Sequence, residues 1–231
     1  WGVYHLTMRA FLFAFLAGAT VAPVTLKRVP EVGQKQAYQI EMNADFAGEP
    51  LIFRAKGVDE VREVNADGTF SVQSTQEEGK IEYNGQELEG PEVGPSFTLF
   101  APNGEVKDLT GEMADADAVR LARLSNVVFP ADAKDVGATW EYDDRGDATK
   151  NLPALKITFK YEGTEKVGEV DANVVSLEGT EQDGEFPASV KGKIWLDPVT
   201  GMQLKAELEM KQAPVAGNRL DLTLKITPVA P

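Results

Sequence analysis

In the stretch Leu155-Lys156-Ile157-Thr158-Phe159-Lys160-Tyr161, every second residue is large and apolar, and each residue between is charged or hydroxylated. A period of two is the period of a β-strand with one buried face. The same alternation recurs at Tyr38 to Phe46, at Met202 to Lys211 and at Arg219 to Ile226. These runs are long, and their polar sides carry Lys, Glu and Asp, which predicts antiparallel strands packed on one side and wet on the other. Turn signals separate them: Ala66-Asp67-Gly68, Asn84-Gly85, Pro102-Asn103-Gly104, Asp183-Gly184, Asp197-Pro198 and Ala216-Gly217-Asn218. One stretch, 115–127, has helical spacing, with Ala118, Leu121, Ala122 and Leu124 on one stripe and Asp115 or Asp117 placed to cap it. Pro130 would stop it. The expected fold is α+β, mainly β: long antiparallel strands forming a curved sheet or half-barrel with one covering helix.

Composition fits that reading. The chain has 231 residues, 42% hydrophobic and 26% charged, enough for one large core or two small ones. A net charge of −14 repels phosphate backbones and anionic headgroups, so nucleic acid is not an expected partner. There is no cysteine, hence no disulfide framework and no thiolate chemistry.

The N-terminal region reads as an export signal over residues 8–19. Arg9 precedes the apolar run Ala10 to Leu16, and Ala17-Gly18-Ala19 supplies the small-x-small pattern of a signal-peptidase site. Even with Ala17-Gly18-Ala19 included, about ten residues are too few to span a bilayer. Residues 1–7 precede a plausible initiator Met8 and read as upstream sequence, leaving 20–231 as the β-rich domain. Ala19 stands where a lipoprotein signal would place its lipid-bearing cysteine, so the expected product is secreted or periplasmic, soluble and not lipid-anchored, without a membrane span.

Three short matches occur in the same order in two halves, about 24–113 and 130–231, with the helix between. Val32-Gly33 to Tyr38 parallels Val136-Gly137 to Tyr142, Val61 to Ala66 parallels Val167 to Ala172, and Gly79-Lys80-Ile81 parallels Gly192-Lys193-Ile194. They are compatible with two pseudo-repeats and equally with chance similarity in strand-rich sequence.

The order and spacing of several motifs resemble an uncharacterised family of secreted, β-rich bacterial proteins. They are Val61 to Thr69, Phe97 to Phe100, Gly104 to Leu109, Phe129-Pro130, Val136 to Trp140 and Gly192 to Gly201. The resemblance covers roughly residues 25–210 and implies an exported envelope protein; it supplies no catalytic or ligand-binding residue. At the level of fold alone, long strands curled over a helix are similar to the half-barrel carriers that ferry lipoproteins across the periplasm.

The residues beyond position 19 include neither His nor Cys, which removes Ser-His-Asp and Cys-His nucleophile systems and histidine-ligated metals. No phosphate loop or dinucleotide fingerprint is present. No cofactor, no metal and no catalytic residue is expected. Asp143-Asp144-Arg145-Gly146-Asp147, beside Trp140 and Tyr142, could serve a carboxylate-dependent hydrolase or hold calcium, but reads more simply as a solvated loop, with Trp140 as a core anchor. The leading expectation is a non-enzymatic envelope module that binds or carries an apolar or lipid-like ligand, with Leu121, Leu124, Leu204, Leu208, Leu222 and Leu224 lining its site. The alternative is a structural or interaction subunit whose partner is another envelope protein.

Overall fold

The computed structural model describes residues 22–46, 48–112 and 114–229. The proposed leader, 8–19, and the residues before it lie outside the described residues. Among those described, the elements are β1 (Lys35–Phe46), β2 (Glu49–Val64), β3 (Phe70–Tyr83), β4 (Gln86–Glu89), β5 (Ser96–Phe100), β6 (Val106–Gly111), α1 (Ala116–Leu124), β7 (Thr139–Asp144), β8 (Leu155–Val167), β9 (Val170–Glu181), β10 (Ser189–Leu196), β11 (Gln203–Val215) and β12 (Asn218–Pro228).

All twelve strands join one antiparallel sheet in the order β6-β5-β3-β2-β1-β12-β11-β10-β9-β8-β7, with β4 paired to β3 outside that path. Each half of the chain is a meander, and the halves are sewn together where β1 meets β12, with Ile40 opposite Ile226 and Met42 opposite Leu224. Every turn named from the sequence sits between two strands. The fold is therefore the expected mainly-β one, with a single sheet spanning both halves.

Period two does the work in β8: Leu155, Ile157, Phe159 and Tyr161 are each at most 2% exposed. Burying four such side chains contributes roughly 1.5–3 kcal/mol apiece. Trp140 stacks on Phe159 at 5.3 Å and donates its indole N–H to the Val128 carbonyl at 2.7 Å, anchoring β7 as expected of it. The opposite face is a mosaic of cross-strand ion pairs, such as Arg54 with Glu41 (3.0 Å) and Lys191 with Glu209 (2.9 Å). Being exposed, these add little stability and mainly keep that face wet.

The helix is shorter than its apolar spacing predicts. Asp115 caps it, accepting from the Ala118 N–H at 2.8 Å, but it ends at Leu124 with Ser125 as the C-cap. Beyond it the chain leaves the helix at the β-branched pair Val127-Val128, whose stiff side chains lower helix propensity. This segment bridges the two edges of the sheet: the Phe129 N–H donates to Asn103 O (2.7 Å) beside β6, and Val128 O receives Trp140 of β7. The sheet thus curls toward the face that carries α1, and that face is concave; the curl is not closed by strand pairing.

The repeated segments divide in their placement. Gly33 N–H donates to Val61 O (2.8 Å) as Gly137 N–H does to Tyr161 O (2.7 Å), so the first matched pair occupies equivalent positions at the starts of β1 and β7. Both are followed by a register shift, after Val61 and after Tyr161. The other two pairs fall at unlike places. Val61 to Ala66 ends β2 while Val167 to Ala172 spans the β8–β9 turn, and Gly79 to Ile81 lies in β3 while Gly192 to Ile194 lies in β10.

Candidate functional site

Inside the curl, beneath the C-terminal end of α1, is a cavity of about 220 Å³. Its apolar wall includes Leu208 on β11, Leu224 and Ile226 on β12, and Val72 and Phe100 on β3 and β5. Its other end is polar and built from three adjacent strands. Tyr38 on β1 faces inward by alternation, and its cross-strand partner is Gly57. A Cβ on Gly57 would stand 2.3 Å from Tyr38 Cε2, so only glycine lets the phenol ring lie flat over β2. Lying there, Tyr38 donates its hydroxyl to Asp59 Oδ1 at 2.8 Å. Ser74, directly opposite Asp59 on β3, donates to the same oxygen at 2.7 Å.

Arg28 enters from the segment preceding β1. That segment is laid against the β10–β11 turn: the Val29 N–H donates to Thr200 O at 2.8 Å, and a Cβ on Gly201 would meet the Lys27 carbonyl oxygen. The guanidinium sits 5.0 Å from the Phe100 ring centroid and 5.8 Å from that of Phe70, the two rings being stacked on each other. It donates to Asn126 Oδ1 at 3.2 Å and approaches Met202 Sδ at 3.9 Å, while its buried Nε has no partner. Burial lowers Arg28 to about 10, with Asp59 acting against the shift. Burial raises the Asp59 carboxyl above its ordinary range, opposed by the bonds from Ser74 and Tyr38 and by the charge of Arg28. Tyr38 is raised as well, by burial first and then by the neighbouring Asp59 charge.

Of the six leucines expected to line a site, Leu208 and Leu224 do line this cavity. Leu124 and Leu222 are buried in the main core, and Leu121 packs half-buried against it. Leu204 goes elsewhere. The register slips between Trp195 and Leu196 of β10, so Leu204 falls in the β11 bulge and packs with Trp195, Ala172 and Val174 in a separate cluster. The polar members Arg28, Tyr38, Asp59, Ser74 and Asn126 were not among the expected residues. A signal for two of them exists: Asp59 and Ser74 take inward positions in runs whose other inward members, such as Ala55, Val61 and Val72, are small or apolar.

Two further arginines hold the helix that roofs the core. Arg120 makes a two-pronged bond to Glu181, Nε to Oε1 at 2.8 Å and Nη2 to Oε2 at 2.6 Å, and Arg123 pairs with Asp144 at 2.7 Å. The acidic stretch after Trp140 is thereby dispersed. Asp144 turns inward to Arg123 and accepts from the Gly146 N–H, and these contacts outweigh burial and hold its carboxyl below the ordinary range. Glu141 pairs with Lys156 on the outer face, and Asp147 caps a short 3₁₀ turn. Among the described residues no three His, Cys, Asp or Glu side chains converge as metal ligands. No helix among them is long and apolar enough to cross a membrane. A larger open groove of about 660 Å³ lies over the β9–β12 strands, where Lys191–Glu209 and Lys211–Asp221 already pair with each other.

No family model matches the chain and no curated protein matches it. Among solved structures it is similar to lipovitellin, from a study of lipid–protein interactions, at 10% identity and a TM-score of 0.49. That match covers 87% of this chain and 25% of the other, so the chain spans about a quarter of lipovitellin's length. A Bacteroides fragilis protein with a YmcC-like fold matches at 12% identity and a TM-score of 0.33, over 90% of this chain and 100% of its own.

Proposed function

We propose that this chain is an exported, non-enzymatic binding module that carries an apolar or lipid-like ligand inside the curl of its sheet. The observation that carries the reading is the cavity of about 220 Å³ walled by Leu208, Leu224, Ile226, Val72 and Phe100. Next to it, the inward-facing Ile40, Met42 and Phe53 are only half-buried. A well-packed interior leaves few voids larger than a water molecule, so an unfilled space with one apolar wall and one polar end, beside a partly uncovered sheet face, has the form of a ligand site. The leader at 8–19 supports export, and the lack of His and Cys beyond it supports binding over catalysis.

Native mass spectrometry of the protein purified without detergent tests this. The expected result is a reproducible adduct of lipid-like mass, or uptake of one equivalent of an added fatty acid. A clean monomer mass that takes up no added amphiphile overturns the proposal, and a discrete oligomer in its place would favour an assembly role.

A further inference from the structure

We infer that the polar end of the cavity receives the carboxylate head of a single-chain amphiphile, with Arg28 as the receiving residue. This deepens the binding reading and rests on it.

Arg28 differs from the two arginines of α1. Each of those is buried against a carboxylate, Glu181 at 2.6 Å and Asp144 at 2.7 Å. Among the described residues, Arg28 has no carboxylate within ion-pair distance. Its contacts are one amide oxygen, a thioether and two ring faces, and its buried Nε–H meets no acceptor, whereas Arg123 Nη2, which likewise makes no aligned hydrogen bond, lies 2.7 Å from the Asp144 carboxylate. A desolvated guanidinium N–H without an acceptor is unfavourable, and the planar fork matches a group offering two oxygens side by side. Asp59, the one carboxylate among the lining residues, is turned to Tyr38 and Ser74 instead. What Arg28 lacks is therefore a carboxylate brought from outside.

The volume sets the rest of the ligand. At about 220 Å³ the cavity is smaller than the roughly 300 Å³ at which sites begin to enclose a whole drug-sized molecule. It takes the head and the first part of one chain, laid along Leu224 and Ile226. The remainder leaves along Ile40 and Met42, which pair across the β1–β12 seam with those same residues. Asp59 balances the charge. With Arg28 protonated, an incoming carboxylate and an ionised Asp59 would leave one excess negative charge, and Asp59, already raised by burial, takes up the proton. The titratable groups facing it are Arg28 and Tyr38.

The test uses the full chain with the neutral fluorophore N-phenyl-1-naphthylamine bound, displaced by decanoate or by 1-decanol. Decanoate is expected to displace it at a concentration about tenfold or more below that of decanol. Arg28→Lys, which keeps the charge but loses the fork, and Arg28→Gln should both bring the two ligands to within about twofold, with thermal unfolding confirming that each variant is folded. Asp59→Asn should tighten decanoate and leave decanol unchanged. Equal displacement by both ligands in the unmodified protein overturns the headgroup assignment while leaving the apolar site standing. Failure of the fluorophore and of both ligands to bind overturns the broader reading.

Discussion

Replacing Arg120 by Met removes the side chain that fastens α1 over the sheet, chiefly through Glu181; its longer contacts to Asp117 (3.2 Å), which keeps Arg219, and to Phe186 O (3.4 Å) go with it. Arg120 and Glu181 side chains are 6% and 1% exposed, and they share two hydrogen bonds, Nε to Oε1 at 2.8 Å and Nη2 to Oε2 at 2.6 Å. Without Arg120, Glu181 keeps only the Ala188 N–H, at 2.8 Å, among the bonds made to it. An ionised carboxylate stranded in that position costs about 3–5 kcal/mol. For a chain of this size each kcal/mol moves the midpoint by about 2–4 °C, so R120M should lower Tm by about 6–20 °C at pH 7. The double variant R120M/E181L replaces the pair with apolar volume and should recover most of the loss, because the penalty belongs to the unpaired charge rather than to the absent bond. Calorimetry on the single and double variants, with circular dichroism to confirm the sheet, reads both effects. An R120M loss below about 1 kcal/mol, or a double variant as unstable as the two single losses added together, would refute the reasoning.

Asp59→Asn should stabilise the protein at neutral pH. Its folded carboxyl is raised above 3.8, so the native state holds the proton more tightly than the unfolded chain, and the stability Asp59 gives at low pH is lost as pH rises through its folded value. The amide oxygen still accepts from Tyr38 and Ser74, and the gain, on the order of 1 kcal/mol at pH 7, should vanish below the ordinary carboxylate range in unfolding curves taken across pH. Gly57→Ala forces a Cβ to 2.3 Å from Tyr38 Cε2 and should cost about 2–4 kcal/mol from overpacking and the lost Tyr38–Asp59 bond; a change under 0.5 kcal/mol, roughly the scatter of ordinary surface substitutions, would contradict the stacked ring. Leu224→Trp should fill the cavity and abolish binding of the neutral fluorophore, whereas Leu204→Ala, on the Trp195 cluster, should leave binding unchanged.

Much of the architecture was legible because it depends on local periodicity. Leu155 to Tyr161 alternate cleanly and are buried on alternate residues, and each glycine- or asparagine-containing turn signal separates two strands. Asp115 could be read as a cap because its side chain acts within one turn of its own backbone. The pairing of β1 with β12 could not be read, since alternation assigns faces and leaves neighbours open. Leu204 was misplaced for a related reason: a one-residue bulge reverses the face of whatever it contains, and nothing in the Met202 to Met210 alternation marks it. Arg120 and Arg123 lie between the apolar positions of the helix in sequence, yet both are buried because their partners, Glu181 and Asp144, arrive from distant strands. The polar half of the cavity eluded the sequence in the same way. Arg28, Tyr38, Asp59 and Ser74 come from four segments, and what unites them is the curl.

The central claim is that an amphiphile occupies the interior of that curl, and ¹³C-methyl NMR of the methionines tests it most directly. Met202 is part of the cavity wall and Met42 lies on the adjoining inward face of β1. On titration with decanoate, the Met202 methyl should shift most and Met42 with it, both saturating at one equivalent. A Met202 resonance that stays in place while decanoate binds elsewhere, or while it does not bind, would contradict the account.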